Sequence, residues 1–206
     1  MPRQLLEDSL IVASHNQGKV REIAALLTPW ALEVSSAAGL GLAEPDETET
    51  TYQGNAALKA LAAARAAGLP ALADDSGFEV EAINNAPGLY SARWAGPERN
   101  FDAAMEKVHQ AVVASGLDNR RCRFVCALSL AWPDGHHETV EGRIEGEMVW
   151  PPRGDKGFGY DPIFQPTGHD KTFGEVDQTW KHEVSHRAVA FAMLIDRCFS
   201  DTPKQH

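Results

Sequence analysis

Cysteine is scarce in this 206-residue chain: Cys122, Cys126 and Cys198 are the only three. They form no CxxC pair and their number is odd, which argues against a disulfide framework and fits a reducing compartment, with each thiol acting as a small apolar side chain. No apolar run is long enough to cross a bilayer. The opening segment Met1-Pro2-Arg3-Gln4-Leu5-Leu6-Glu7-Asp8 carries acids and lacks the apolar core of a secretory signal. These absences predict a cytoplasmic protein without membrane association. Cations are also in the minority, 19 Lys and Arg against 29 Asp and Glu, for a net charge of −10. Such a chain repels polynucleotides, so general DNA or RNA binding is excluded. A single nucleotide is not, because a local cluster of cations and a metal ion suffice for it. Internal repeats and dividing linkers are missing too. What is present is a 43% hydrophobic content, enough to bury a core in one large domain or two small lobes.

The pattern along the chain alternates strands and helices. A first strand is predicted at about residues 9–14, and Val20, Ile23, Ala24 and Leu27, spaced i, i+3, i+4, i+7, predict a helix over about 18–28 that Pro29 stops. Residues 31–35 read as a strand, and 39–50, with four acids, two glycines and a proline, as a loop. An alanine-rich helix over about 51–67 closes at Gly68. Residues 70–74 read as a buried strand running into a turn, Asp75-Ser76-Gly77, with a short strand over about 78–82 beyond it. Asn100 is placed to cap a helix that ends at Gly116. A long strand over 122–132, a Pro133-Asp134-Gly135 turn and two further strands, at 136–142 and about 144–150, form a meander. A glycine-rich loop spans 154–160, and the last helix runs from Ser185 as N-cap to about Phe199. This order predicts an α/β fold over residues 1–206, frayed at about 1–8 and 201–206. It is expected to be a two-lobed single domain with a central twisted mixed sheet flanked by helices and an active-site cleft between the lobes.

Several segments could carry chemistry. Ser14-His15-Asn16-Gln17-Gly18-Lys19 joins a strand to a helix; free N–H groups at the helix start, the dipole and Lys19 together suit a phosphate. It is not a P-loop, because Ala13 and Val20 stand where that motif requires glycine and Ser or Thr. A carboxylate in Asp74-Asp75-Ser76-Gly77, at a strand end, could hold Mg²⁺, which takes few protein ligands plus waters and substrate phosphates. The same residues could equally serve as a turn. Asp46-Glu47 is a second acidic pair, on a loop where solvated acids are common. Lys59, among alanines, either reaches a phosphate or lies on the surface. Gly157-Phe158-Gly159-Tyr160-Asp161-Pro162 offers aromatic rings for stacking on a base, or for plugging a core. Lys181 and Ser185-His186-Arg187 place cations at a helix start, against the dipole, which makes sense if they face an anion or a base carbonyl. His182-Glu183-Val184-Ser185-His186 matches the zinc-protease pattern, but that chemistry needs both histidines on one helix face. With Ser185 as N-cap, His182 precedes the helix, so no zinc site is expected.

Together with Asp46-Glu47-Thr48 and Ala86-Pro87-Gly88-Leu89-Tyr90-Ser91-Ala92-Arg93, these segments resemble, in order and over about residues 9–199, the inosine/xanthosine triphosphate pyrophosphatase family. The resemblance implies a Mg²⁺-dependent homodimer that hydrolyses ITP, dITP or XTP to the monophosphate and pyrophosphate. It implies that Ser14, His15, Asn16, Gln17, Gly18 and Lys19 line the triphosphate site, with Lys19 and Lys59 as catalytic cations. Asp75 would be the catalytic acceptor and a metal ligand beside Asp46 or Glu47, and Ser76 a substrate contact. Phe158, Gly159, Tyr160, Asp161, Lys181, His186 and Arg187 would hold the base and sugar, with Arg187 or His186 donating to the 6-keto edge. His15 stands where members often carry glycine, Gly54 where an acid is common, and Asp46 where they carry glutamate. Two other readings are a broader nucleoside triphosphate pyrophosphatase and a catalytically silent nucleotide-binding module.

Overall fold

The computed structural model describes residues 2–199, so the tail at about 201–206 lies outside the described residues. In chain order the elements are β1 (Ser9–Val12), α1 (Gln17–Leu27), β2 (Glu33–Ser36), α2 (Tyr52–Ala67), β3 (Ala71–Val80), β4 (Ala86–Gly88), α3 (Ser91–Trp94), α4 (Phe101–Ser115), β5 (Arg121–Ala131), β6 (His137–Met148), β7 (Phe164–Pro166), α5 (Gln178–Val184) and α6 (His186–Cys198). The strands follow the hydrogen-bonded order β2-β1-β3-β5-β6-β7, with β4 on β3. β1 runs parallel to β2 (Leu10 opposite Val34) and to β3 (Val12 opposite Leu72), whereas β3–β4 and β6–β7 are antiparallel. The expected α/β class with a mixed sheet and flanking helices is what the chain forms.

The chain divides into two compact units. The first takes the residues up to Asp75, Cys126–Gly142 and the segment from Arg187; the second takes Ser76–Val125 and Arg143–His186. β3, β5 and β6 each begin in one unit and end in the other.

In the first unit, the period-2 alternation of a strand explains two separate cores. Leu10 and Val12 of β1 and Leu72 of β3 join Ile23, Leu27, Leu128, Phe191 and Leu194. Ile11 and Ala13, with Ala71 and Ala73, join Ala60, Ala63 and Ala64 of α2. Both faces of these strands are therefore buried, which is why they read as continuous apolar runs. The small side chains of α2 leave little standing between it and the strands. Thr51 caps α2 by accepting from the Gly54 amide at 3.0 Å, and Gly68, at φ +68°, ends it in the left-handed region where glycine is unstrained. The second unit is built on rings. Phe78, Phe124, Tyr160, Phe164 and Phe173 share one cluster with Val80, Val108, Met148 and Ile163. Phe124 lies 5.1 Å from Phe78 and 4.8 Å from Phe164, centroid to centroid, at tilted and edge-on angles suited to ring quadrupoles.

Three expectations need correction. Asp75-Ser76-Gly77 is not a turn; β3 runs unbroken from Ala71 to Val80. The two strands expected at 136–142 and 144–150 are one strand, β6, which tolerates Gly146 because a Cβ there would lie 2.4 Å from the Gln165 carbonyl on β7. A seven-residue helix, α5, precedes Ser185 and is capped by Asp177, which accepts from the Trp180 amide at 3.0 Å.

Candidate active site

Because β3 continues through Asp74 and Asp75, the two carboxylates point to opposite faces of the strand. Asp74 shares the face of Leu72, and Asp75 that of Ala71 and Ala73. Each face brings its own helices, so each carboxylate meets a different set of cations.

Asp75 is buried, 6% exposed, against α2. Lys59 Nζ donates to its Oδ1 at 3.1 Å and Asn55 Nδ2 to its Oδ2 at 3.2 Å. Lys59 also donates to Glu47 Oε1 at 2.9 Å, so one ammonium bridges two carboxylates. Burial pushes the Asp75 carboxyl up; Lys59 and Lys19 pull it down and Glu47 pushes it up again, leaving it above the ordinary value. Burial pulls the Lys59 ammonium down, but Asp75 and Glu47 outweigh it and hold it above its usual range. Lys59 is therefore a buried cation, not a surface lysine. Asp46 is exposed on its loop and lines a separate hollow of about 670 Å³ with Pro45, Leu58, Leu61 and Arg65. Of the two loop acids, Glu47 is the one paired beside Asp75. Two hard carboxylates already flanking one cation are the donor set that suits Mg²⁺ with waters and phosphates. Among the described residues no group of three or more His, Cys, Asp or Glu side chains is arranged to hold a metal. His182 lies on α5 and His186 opens α6, with Ser185 extended between them (φ −69°, ψ 162°), so the HExxH pattern falls on two helices.

Asp74, 1% exposed, faces α1 and α6. Lys19 forms an ion pair with it, Arg187 Nε donates to its Oδ2 at 2.8 Å, and Cys126 Sγ donates at 3.0 Å. Arg187, itself 1% exposed, also pairs through Nη1 with Glu22. Burial pushes the Asp74 carboxyl up, yet Arg187 and Lys19 hold it well below the carboxylate range. Burial and Asp74 together push the Cys126 thiol well above its usual range, which keeps it a donor.

The phosphate-loop expectation also needs correction at its backbone. The Asn16 side chain accepts from the Gly18 amide at 2.9 Å and the Lys19 amide at 3.4 Å, so those N–H groups are capped, not free. The Ser14 hydroxyl accepts from the Asn16 amide at 3.1 Å. Gln17 is exposed at the start of α1, and Gly18 is half-buried behind it. His15 turns to the acidic loop, its Nε2 3.0 Å from the Leu42 carbonyl and its Nδ1 3.6 Å from Glu44.

In the second unit, residues 157–160 form a turn that leads into a short 3₁₀ segment, Asp161–Ile163. Asp161 organises it: its Oδ2 accepts from Lys181 Nζ at 2.6 Å and from the Phe158 amide at 2.8 Å. Gly157, at φ +75°, leaves room for that carboxylate, since a Cβ would lie 2.1 Å from Oδ2. Lys181, almost fully buried, sits 4.6 Å from the centre of the half-buried Phe158 ring. Tyr160 plugs the core: it stacks on Phe78 at 5.1 Å and donates to the Ser91 carbonyl at 2.8 Å. Gly159 is half-buried between the two aromatic residues. His186 stacks on Phe124 at 4.8 Å. Ser76 is half-buried on β3.

The Ham1 family model matches residues 10–197. The chain belongs to the Ham1 family. It is 60% identical over 201 residues to a dITP/XTP pyrophosphatase of Rhodospirillum centenum, covering 97% of this chain and 98% of that one. It is 54% identical over 197 residues to a dITP/XTP pyrophosphatase of Zymomonas mobilis, covering 95% and 94%. Among solved structures, a HAM1 protein from Coxiella burnetii superposes with a TM-score of 0.84 at 36% identity, over 91% of this chain and 96% of that one.

Sequence reasoning missed Asn55, Glu22 and Cys126 as partners of the two carboxylates, and it did not separate the surroundings of Asp74 from those of Asp75. For Asn55 a signal was there. Tyr52, Asn55, Ala56, Lys59, Ala60 and Ala63 form the buried stripe of α2, and two polar residues on such a stripe, four apart, mark a departure from patterning.

Proposed function

We propose that this Ham1-family chain hydrolyses non-standard purine nucleoside triphosphates (ITP, dITP, XTP) to the monophosphate and pyrophosphate, removing them from the nucleotide pool. The observation that carries the reading is the buried Asp75 joined to Glu47 through the Lys59 ammonium that bridges them, with Lys19 near enough to act on Asp75 electrostatically. A triphosphate repels an incoming nucleophile through its own charge. Lys19 and Lys59 offset that charge, most of all where it grows on the departing pyrophosphate. Asp75 binds the metal or accepts the proton of a water that attacks the α-phosphorus. A free aspartate, with a pKa of about 4, is a poor base at neutral pH; burial pushes Asp75 upward, but a bound Mg²⁺ would lower it again, so a metal-activated water serves at least as well as direct base catalysis.

Glu47 and Asp75 would hold Mg²⁺, which neutralises phosphate charge and activates water when bound. Ser14 to Lys19 serve the triphosphate, and Ser76 a substrate contact. Phe158, Gly159, Tyr160, Asp161, Lys181, His186 and Arg187 serve the base and sugar, with donors that favour a 6-keto purine because adenine would leave buried donors facing a donor. We further propose a cytoplasmic homodimer. No described helix is long and apolar enough to cross a membrane, and the three cysteines are free and buried.

The test is pyrophosphate release across ITP, dITP, XTP, dGTP, ATP and dUTP, with and without Mg²⁺. The expected result is Mg²⁺-dependent release confined mainly to the first three. Comparable turnover of dGTP or dUTP would identify a broader enzyme, and no release from any would leave a binding module.

A further inference from the structure

We infer that Asp74 is a positioning residue for Lys19, a fixed anion on β3 that sets where the phosphate-side ammonium lies; the inference rests on the reading above, in which Lys19 serves the triphosphate. Lys19 and Glu22 are three residues apart on α1 and share a face. Lys19 pairs with Asp74, Asp74 with Arg187, and Arg187 with Glu22, which returns to α1. The charges alternate along this chain of ion pairs, cation to anion, with no net charge. Such neutrality allows Asp74, Arg187 and Glu22 to tolerate burial, with the partly exposed Lys19 at the end of the chain.

Lysine carries its charge on a flexible four-carbon stem. Aspartate has a short stem, and this one sits on a strand buried on both faces, so it is the rigid member of the pair. Cys126 and Arg187 brace it, at 3.0 and 2.8 Å on the same carboxylate oxygen, Oδ2. Asp75, the next residue, is on the opposite face and meets Lys59 and Asn55 instead. Asp74 is therefore separated from the proposed base and metal ligands, and acts on the phosphates through Lys19 while Arg187 braces it from the other oxygen.

A double-mutant cycle tests this. Asp74→Asn keeps the shape and removes the charge. Its kcat/KM for ITP with Mg²⁺ should fall about 10- to 100-fold in the native background and less than about 2-fold in Lys19→Ala, because charge-assisted contacts of this kind are worth about 1.5–3 kcal/mol and their loss runs through one partner. Equal losses in both backgrounds would overturn the assignment in favour of a general structural role. A second arm measures inorganic tripolyphosphate binding by calorimetry, independent of turnover. Affinity should fall about 10-fold in Asp74→Asn, by the same logic of a lost charge-assisted contact, and no further when Lys19→Ala is added. If the native enzyme releases no pyrophosphate, the functional reading fails while this arm still decides the positioning role. Should Asp74→Asn not fold, Cys126→Ala should weaken tripolyphosphate about 5-fold while Cys126→Ser, which keeps a donor, stays within about 2-fold. Equal behaviour of those two variants would also overturn it.

Discussion

The two units of this protein bury different things. The first encloses charge: Lys59, Asp74, Asp75, Glu22 and Arg187 lie beneath its surface, with Lys19 close to it. The second encloses rings: Phe78, Phe124, Phe164 and Phe173 pack around Tyr160, with the Lys181–Asp161 pair under Phe158. A ring cluster is stabilised by area and shape, at roughly 25 cal/mol per Å² of apolar surface removed from water. A buried charge network gains little net stability, because desolvation offsets its Coulomb energy. The first unit's charges are thus better understood through chemistry, and the second unit's aromatics through stability. Substitutions at Asp75, Lys59 and Glu47 should act mainly on turnover, and those in the ring cluster mainly on folding.

The largest effect should come from Asp75→Asn. Turnover of ITP should drop by about a thousandfold or more, about 4 kcal/mol of barrier, while urea unfolding changes by less than about 1 kcal/mol because Lys59 keeps Glu47. Retained turnover would break the comparison at its strongest point. Next comes Asp161→Ala in the second unit. It leaves Lys181 buried without its 2.6 Å partner, and urea denaturation should show a loss of about 3–5 kcal/mol. Changing both residues to apolar ones of similar size should be milder. If the single change proves neutral, the pair is not a folding element.

Asp74→Asn sharpens the contrast through pH. The Asp74 carboxyl is lowered on folding, so its contribution is full above the unfolded value of 3.8 and disappears as pH falls through the depressed folded value. The stability gap between native protein and variant should be about 2–3 kcal/mol at neutral pH and should shrink below about pH 4. A gap that does not narrow would mean that the charge of Asp74 is not what the variant lost. The smallest effect expected is from Tyr160→Phe. Loss of the 2.8 Å hydrogen bond to the Ser91 carbonyl should lower stability by about 1 kcal/mol, with the ring stack intact.

Where local chemistry sets a boundary, the sequence is readable. Gly68, Asn100 and Gly116 end or start helices where their backbone and capping preferences say they should. Where tertiary partners override local preference, it is not. Asp74-Asp75-Ser76-Gly77 has turn composition, yet it is a strand interior because ion pairs from α1, α2 and α6 satisfy both carboxylates. Short α5 has no clear signal in the sequence because its fixing contacts, such as Lys181 to Asp161, come from elsewhere in the chain. The motif segments of the site were visible by resemblance. That Lys59 is buried and bridges Glu47 to Asp75, and that Arg187 pairs with Glu22, depends on packing that no single segment displays.

Water attacking the α-phosphorus of a purine triphosphate, with pyrophosphate leaving, is the step on which the proposed function turns. Hydrolysis of ITP in ¹⁸O-labelled water, followed by mass spectrometry of both products, tests this directly. The label should appear in the nucleoside monophosphate and not in the pyrophosphate. Label in the pyrophosphate, or release of orthophosphate instead, would contradict it.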